Sequence, residues 1–407
     1  MSGPLAPQHG SEPEEIKQAP PSTVASRLEM RQRAGGIIVP VLTALLAFLI
    51  GGLLVLATGH NPIQAYWDII KGAGLNWLAH PTNTDVANTA AYNFSQTLLQ
   101  TTPLILTGLA VAFAFRCGMF NIGGNGQYLV GLYVANWIGI SFVNLAKPTH
   151  ILLAVAGAAL AGAIWAGIAG FLKATTGAHE VITTIMLNWI AYWIGNYIFQ
   201  QGGPLQGAAN KPLDIPISGD VAQSAKLPVF WGDADLQGLH IGFFIAVGSL
   251  VVYWALLNRT TLGYGVKAVG FNPEAARYGG ISVARNYFLA MAISGAFAGI
   301  AGAIDILGWQ FRLSTGDIKA SAASGIAFTG IAVALLGRNT AVGTFFAALL
   351  FGALLTGTST RNLDPDVFQP ELAFNLTRLI QGLVVLFVGA DLIVLWFLRR
   401  LRTRVSA

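Results

Sequence analysis

The chain has 407 residues, of which 54% are hydrophobic and 10% charged, with a mean hydropathy of +0.61. Ordinary soluble domains carry roughly 25% charged residues, so this composition excludes one and points to an integral membrane protein. The net charge of +5 comes without any interleaving of basic and aromatic residues, so no nucleic-acid surface is expected.

Residues 1–30 open with Pro4, Pro7, Pro13, Pro20 and Pro21 among Ser, Gln and Glu. That composition cannot bury enough apolar area to order itself, so a disordered cytoplasmic tail is expected. A helix crosses the hydrocarbon core with about 20 mostly apolar residues. Runs of that kind follow at 35–58, 95–115, 123–142, 151–172, 181–199, 239–258, 287–308, 322–336, 340–360 and 374–398. The expectation is an all-α polytopic membrane protein with about ten transmembrane helices over residues 31–400. Cytoplasmic loops are enriched in Lys and Arg, and an inside N-terminus puts 15 of the 23 basic residues on that side. Both termini are therefore predicted inside, with 401–407 a short cytoplasmic tail. Residues 61–93 and 200–238 become external loops, and 258–286 the substantial internal one.

Several segments stand out in chain order. Residues 115–127 hold four glycines and the amides of Asn121, Asn125 and Gln127, a pattern that favours a broken helix shielded from lipid. These uncharged groups suit a neutral polar solute, or they lock helices together through hydrogen bonds. The same pair of readings applies to Thr184, Asn188 and Trp189; Thr184 and Asn188 share one helical face. Cys117 stands alone, which excludes an intramolecular disulfide and a cysteine-based zinc site. Gly162, Gly167 and Gly170, and then Gly295, Gly299 and Gly302, predict close helix packing. The segment 107–112 (Thr-Gly-Leu-Ala-Val-Ala) is echoed by 329–334 (Thr-Gly-Ile-Ala-Val-Ala). Charged residues near membrane depth are few, and Glu180, Asp305, Arg378 and Asp391 each fall near the end of a run, which predicts interfacial structural roles.

The internal loop carries a fully punctuated polar helix. Asn272 is a good N-cap, Pro273 suits the first position, Glu274 complements the helix dipole, Ala275, Ala276 and Arg277 continue it, and Gly279 is expected to close it with positive φ. A connector needs no such punctuation, so 272–279 reads as a rigid element presented to a partner. No phosphate-binding loop, His-Glu-x-x-His, Gly-x-Ser-x-Gly or Cys-x-x-Cys motif is present, so no catalytic or metal-ligating residues are assigned and no enzyme is expected.

Four ordered motifs then carry a resemblance. They are Phe120-Asn-Ile-Gly-x-x-Gly-Gln127, the segment His179 to Asn188, the loop Gly263 to Ile281 with its Asn272-Pro273 pair, and Gly330 to Asn339. Together they resemble permeases of bacterial ABC importers in the branched-chain amino acid and simple-sugar permease family, particularly its nucleoside-uptake branch. The resemblance covers nearly everything after residue 30. It implies a subunit that forms the membrane path for a neutral polar solute, a nucleoside first and a simple sugar as the alternative, in the bacterial cell membrane. It also implies a second permease subunit, cytoplasmic ATPases that use the ATP while this chain binds no cofactor, and an extracytoplasmic substrate-binding lipoprotein. The helix at 272–279 becomes the coupling helix. An ion-coupled secondary transporter is the rival from another class.

Overall fold

The computed structural model describes residues 38–76, 84–233 and 237–359, and beyond these 375, 378–380, 382–383 and 386–387. The tails at 1–30 and 401–407, Asp391 and most of the tenth apolar run lie outside the described residues.

Among the described residues, helix makes up most of each of the first nine apolar runs. In chain order the helices are α1 (Ile38–Ala57), α2 (Pro62–Gly72), α3 (Thr84–Arg116), α4 (Gly124–Ser141), α5 (Lys147–Thr176), α6 (Glu180–Phe199) and α7 (Gly242–Arg259). The order continues with α8 (Thr261–Phe271), α9 (Pro273–Tyr278), α10 (Val283–Asp305), α11 (Thr315–Ser324), α12 (Ile326–Leu336) and α13 (Ala341–Gly357). Among the described residues, five helical stretches are long and apolar enough to cross a membrane, or six if the α1–α2 pair, bent by 118°, is one span. The described residues thus define a helical, multi-pass membrane protein.

Small residues set the centre of the bundle. Helices α5 and α10 approach so closely that a Cβ on Gly162 would overlap the Gly295 carbonyl and one on Gly295 would overlap that of Gly162. Gly299 meets the Ala158 carbonyl in the same seam, and Gly131 of α4 packs on Gly299 from the other side. Apolar burial gives little drive inside lipid, so backbone proximity of this kind is what holds such helices together.

Two breaks shape the interior. The segment 117–123 turns back into the bundle after α3, where Cys117 lies beside the Asn286 carbonyl and Asn121 reaches Ser294 further along α10. Beyond α10 the helix widens into a π turn, Ile306–Gln310, and ends at Phe311 with a φ of 56°. Helix α11 starts with a capping box between Ser314 and Asp317, and Gly325 in the left-handed region separates it from α12.

Residues 200–233 do not hang free. The Ser218 amide donates to the Leu313 carbonyl at 2.8 Å, that of Val221 to Phe311 at 2.8 Å and that of Leu227 to Leu307 at 2.9 Å, tying this segment along the stretch of chain that follows α10. A two-stranded hairpin, β1 (Val229–Trp231) with β2 (Leu239–His240), completes the cover.

Candidate functional site

A cavity of about 1040 Å³ opens between the first half of α3, the start of α4, the π turn and the broken α11–α12 pair. Its wall is mixed: Asn93, Gln96 and Gln100 from α3, Tyr128 from α4, and Asp305 with Trp309 from the end of α10. Pro103, which lacks the amide to complete the α3 ladder, also lines it. Its size falls at the top of the range for small-molecule pockets.

Asp305 contributes a carboxylate to this wall and is only 5% exposed. The Tyr128 hydroxyl donates to it at 2.6 Å and the Trp309 indole at 3.3 Å. The residue therefore sits inside the bundle on a cavity wall, which corrects the interfacial role that its position near the end of an apolar run suggested. The π turn places Trp309 four residues on from Asp305, where it can reach back. Arg378 also lines the cavity.

None of the six residues expected in the solute path is on this wall. Four of them instead knit the broken segment to its neighbours. Asn121 donates to Gln127 at 2.9 Å and to Ser294 at 2.7 Å, while its own oxygen accepts from the Gly123 amide and from Gln127. Asn188 accepts from the Gly126 amide at 2.7 Å and donates to the Ile122 carbonyl at 3.0 Å. Thr184 is buried against Gly123, sharing a face with Asn188 as its spacing predicted. Asn125 keeps a buried side-chain oxygen without a protein partner. Trp189 points away: it is 62% exposed and joins Trp193 and Tyr197 on an apolar outer face. Asn121, Gln127 and Asn188 thus make the interhelical hydrogen bonds of the locking reading, and Asn125 does not. Gln127 immediately precedes Tyr128, so the knot braces the cavity wall from behind.

At the far end of α10 lies the capped helix. The Ala275 amide donates to the Asn272 side chain at 3.1 Å, Pro273 and Glu274 occupy the first turn, and Arg277 sits 3.9 Å from Glu274 on the exposed face. Ala276 is buried and seats the helix on the bundle. The helix is six residues long and its closing glycine differs from expectation: Gly279 has a φ of −77°, and Gly280 takes the left-handed conformation at +79°. The chain leaves the helix with Gly279 still close to helical geometry, so the reversal falls one residue later. Sequence reading also missed the aromatic groups beside it, Phe271 at 75% and Tyr278 at 92% exposure. Large apolar side chains this exposed next to a charged helix are what a docking partner would cover.

The two regions are mechanically joined. Helix α10 runs about 33 Å between them at 1.5 Å per residue. On the other side, Gly270 of α8 lies against the backbone at Arg116, the last residue of α3, whose opposite half lines the cavity.

A cavity of mixed lining walled by membrane-length helices, with a rigid exposed helix at the opposite end, is the architecture of a membrane permease. The chain belongs to the family described as branched-chain amino acid transport system / permease component, whose model matches residues 93–389. It is 37% identical to the guanosine ABC transporter permease NupP of Bacillus subtilis over 92% of this chain and 99% of that protein. It is 33% identical to the nucleoside ABC transporter permease NupB of Lactococcus lactis, covering 90% and 94%. It is 34% identical to the glucose ABC transporter permease TsgB13 of Haloferax volcanii, covering 86% of each. A second Bacillus subtilis protein, the guanosine ABC transporter permease NupQ, matches 63% of the chain at 27% identity. No solved structure matches it. The chain is accordingly a transport subunit and not an enzyme.

Proposed function

We propose that this chain forms the membrane pathway of an ATP-driven importer for a nucleoside. The observation that carries the reading is the cavity, whose amides, carboxylate and aromatic rings combine hydrogen-bonding groups with flat apolar faces, as a base and a ribose together require. The near-complete coverage of NupP and NupB supports the same solute class. The likeness to TsgB13 favours a second reading, a simple sugar, because aromatic faces beside acceptors also suit a pyranose.

In this reading the importer sits in a bacterial cell membrane with about ten spans and both termini inside. A second, shorter permease of the NupQ kind completes the path, an extracytoplasmic lipoprotein delivers the solute, and cytoplasmic ATPases consume the ATP, since this chain binds none. Residues 272–279 form the coupling helix. Asn272 and Pro273 fix its start, Glu274 and Arg277 face the ATPase, and Ala276 anchors it. Movement of the ATPases then reaches the cavity through α10 and through the contact of Gly270 with the end of α3. Asn121, Gln127, Thr184 and Asn188 serve as the brace behind the cavity wall, Asn125 keeps an unpartnered side-chain oxygen beside them, and Trp189 serves an outer apolar face.

The test is reconstitution with the partner proteins and labelled guanosine, uridine and glucose, energised either by ATP or by an ion gradient. ATP-dependent nucleoside uptake is expected. Uptake by this chain alone under an ion gradient would establish a secondary transporter, and exclusive glucose uptake would establish the sugar reading.

A further inference from the structure

We propose that Asp305, together with Gln310, selects the solute by its base, favouring a base whose pairing edge carries adjacent N–H donors, as in a 2-amino-6-oxopurine. This inference rests on the reading that the solute is a nucleoside. Asp305 is a carboxylate on the cavity wall, and the described residues give it no Lys or Arg ion pair. Its two protein donors, Tyr128 and Trp309, are both neutral. An ionised carboxylate offers about four lone-pair positions, so two such bonds leave acceptor capacity unused. One π turn further, Gln310 also lines the cavity, and its buried side-chain oxygen has no protein partner. Two acceptors on one wall call for donors on the solute.

The nucleobases differ in what they offer such a wall. A 2-amino-6-oxopurine presents its ring N–H and its exocyclic amino group side by side, two donors in a row. A 6-aminopurine presents one amino donor beside an acceptor nitrogen, which would face the carboxylate lone pair to lone pair. Enzymes that read an extruded base use the same pairing edge and stack the ring on aromatic side chains. Here the rings of Trp309, Tyr128 and Tyr92 line the same cavity. The alternative is that Asp305 only ties α4 to α10 through Tyr128. Its removal would then change stability and leave base preference untouched.

Uptake of guanosine and adenosine by wild-type and Asp305→Asn complexes in membrane vesicles separates these roles. The same extracytoplasmic partner delivers both solutes to both complexes, so a changed ratio belongs to this chain. Asparagine replaces half of the acceptor pair by a donor and complements the 6-aminopurine edge. The guanosine-to-adenosine ratio is expected to fall by on the order of tenfold or more, the scale of one charge-assisted hydrogen bond. An unchanged ratio would overturn the proposal. If the variant takes up neither solute, the wild type decides: binding of guanosine and 1-methylguanosine to the purified membrane complex is compared by equilibrium dialysis. At least tenfold weaker binding of the methylated compound supports the assignment, and equal binding overturns it. A wild-type complex that handles no nucleoside at all defeats the functional reading itself, an outcome distinct from both.

Discussion

Gly330 of α12 rests directly on Thr107 of α3: a Cβ at Gly330 would lie 2.9 Å from both the Thr107 Cβ and its hydroxyl oxygen. The two Thr-Gly segments that echo each other in sequence therefore pack face to face, and Gly108 in turn lies against Val333 and Thr344. Both helices line the cavity, so the contact holds two of its walls together. Gly330→Ala is expected to destabilise the purified protein by about 1–3 kcal/mol through overpacking. Gly248→Ala is the control, because nothing lies within 4 Å of that position and a helical glycine-to-alanine change there is expected to raise stability slightly. Thermal unfolding of the two variants checks both; equal melting temperatures would contradict the contact.

The amide brace yields a prediction that differs from a solute-contact role. Asn121→Leu strips partners from Gln127, Ser294 and the Gly123 amide, all buried. Leaving one buried polar group unpaired costs about 1–3 kcal/mol. A lower melting temperature with unchanged solute affinity in the surviving protein is expected. Loss of affinity at normal stability would return Asn121 to the solute path.

At the other end, glycine is needed at 280 and not at 279. Gly280 has a φ of +79°, which a β-branched residue adopts only with strain of about 1–3 kcal/mol. Gly279 lies at −77°, and a methyl group added there would meet its nearest neighbour, the Ala276 carbonyl oxygen, at 3.4 Å. Gly280→Val is expected to weaken ATPase association or uncouple hydrolysis from uptake while insertion continues, and Gly279→Ala to leave both intact. Co-purification and ATPase-to-uptake ratios measure this.

Much of this was legible in the chain because it depends on local signals. The apolar runs marked helices, Asn272 and Pro273 marked the start of α9, and Gly162, Gly295 and Gly299 marked the central seam. The cavity was not legible, since it gathers Gln96, Tyr128, Asp305 and Trp309 from three helices whose neighbours are decided by packing. The amides of 121–127 drew notice as a dense polar cluster, but a cluster can satisfy itself, and only the fold reveals that Asn121 and Gln127 bond one another. Asp305 looked interfacial because the π turn carries the helix five residues past it.

The Asn339 carbonyl provides a further test near the α8 contact. Arg116 donates to it through Nε at 3.1 Å and through a terminal nitrogen at 2.7 Å, and the Tyr253 hydroxyl donates at 2.7 Å. The carbonyl belongs to a pair, Arg338 and Asn339, both at a φ of 53°. Such backbone persists only where its surroundings hold it. Arg116→Met should cost about 1.5–3 kcal/mol, as expected for a hydrogen bond to a charged group, and Tyr253→Phe about 1 kcal/mol. Unfolding midpoints rank the two, and the reverse order would show that Arg116 is not the principal clamp.

His240 gives the fold a pH dependence whose sign can be worked out. It is fully buried between Gly242 and Gly308, accepts the Gly242 amide on Nδ1 at 3.2 Å, and leaves Nε2 without a protein partner. Burial pushes its pKa down from 6.5 to about 4. The folded state therefore holds the neutral ring, and the unfolded state takes up the proton first as the medium is acidified. The stability this site contributes is complete above pH 6.5 and is lost progressively as pH falls from there toward 4. One pKa unit corresponds to about 1.4 kcal/mol, so at about pH 5 the loss is about 2 kcal/mol relative to about pH 8. His240→Gln cannot titrate in this range and is expected to flatten that part of the profile. Melting temperatures of wild type and variant in detergent at about pH 8 and about pH 5 test it, and parallel profiles for the two proteins would assign the acid sensitivity to another group.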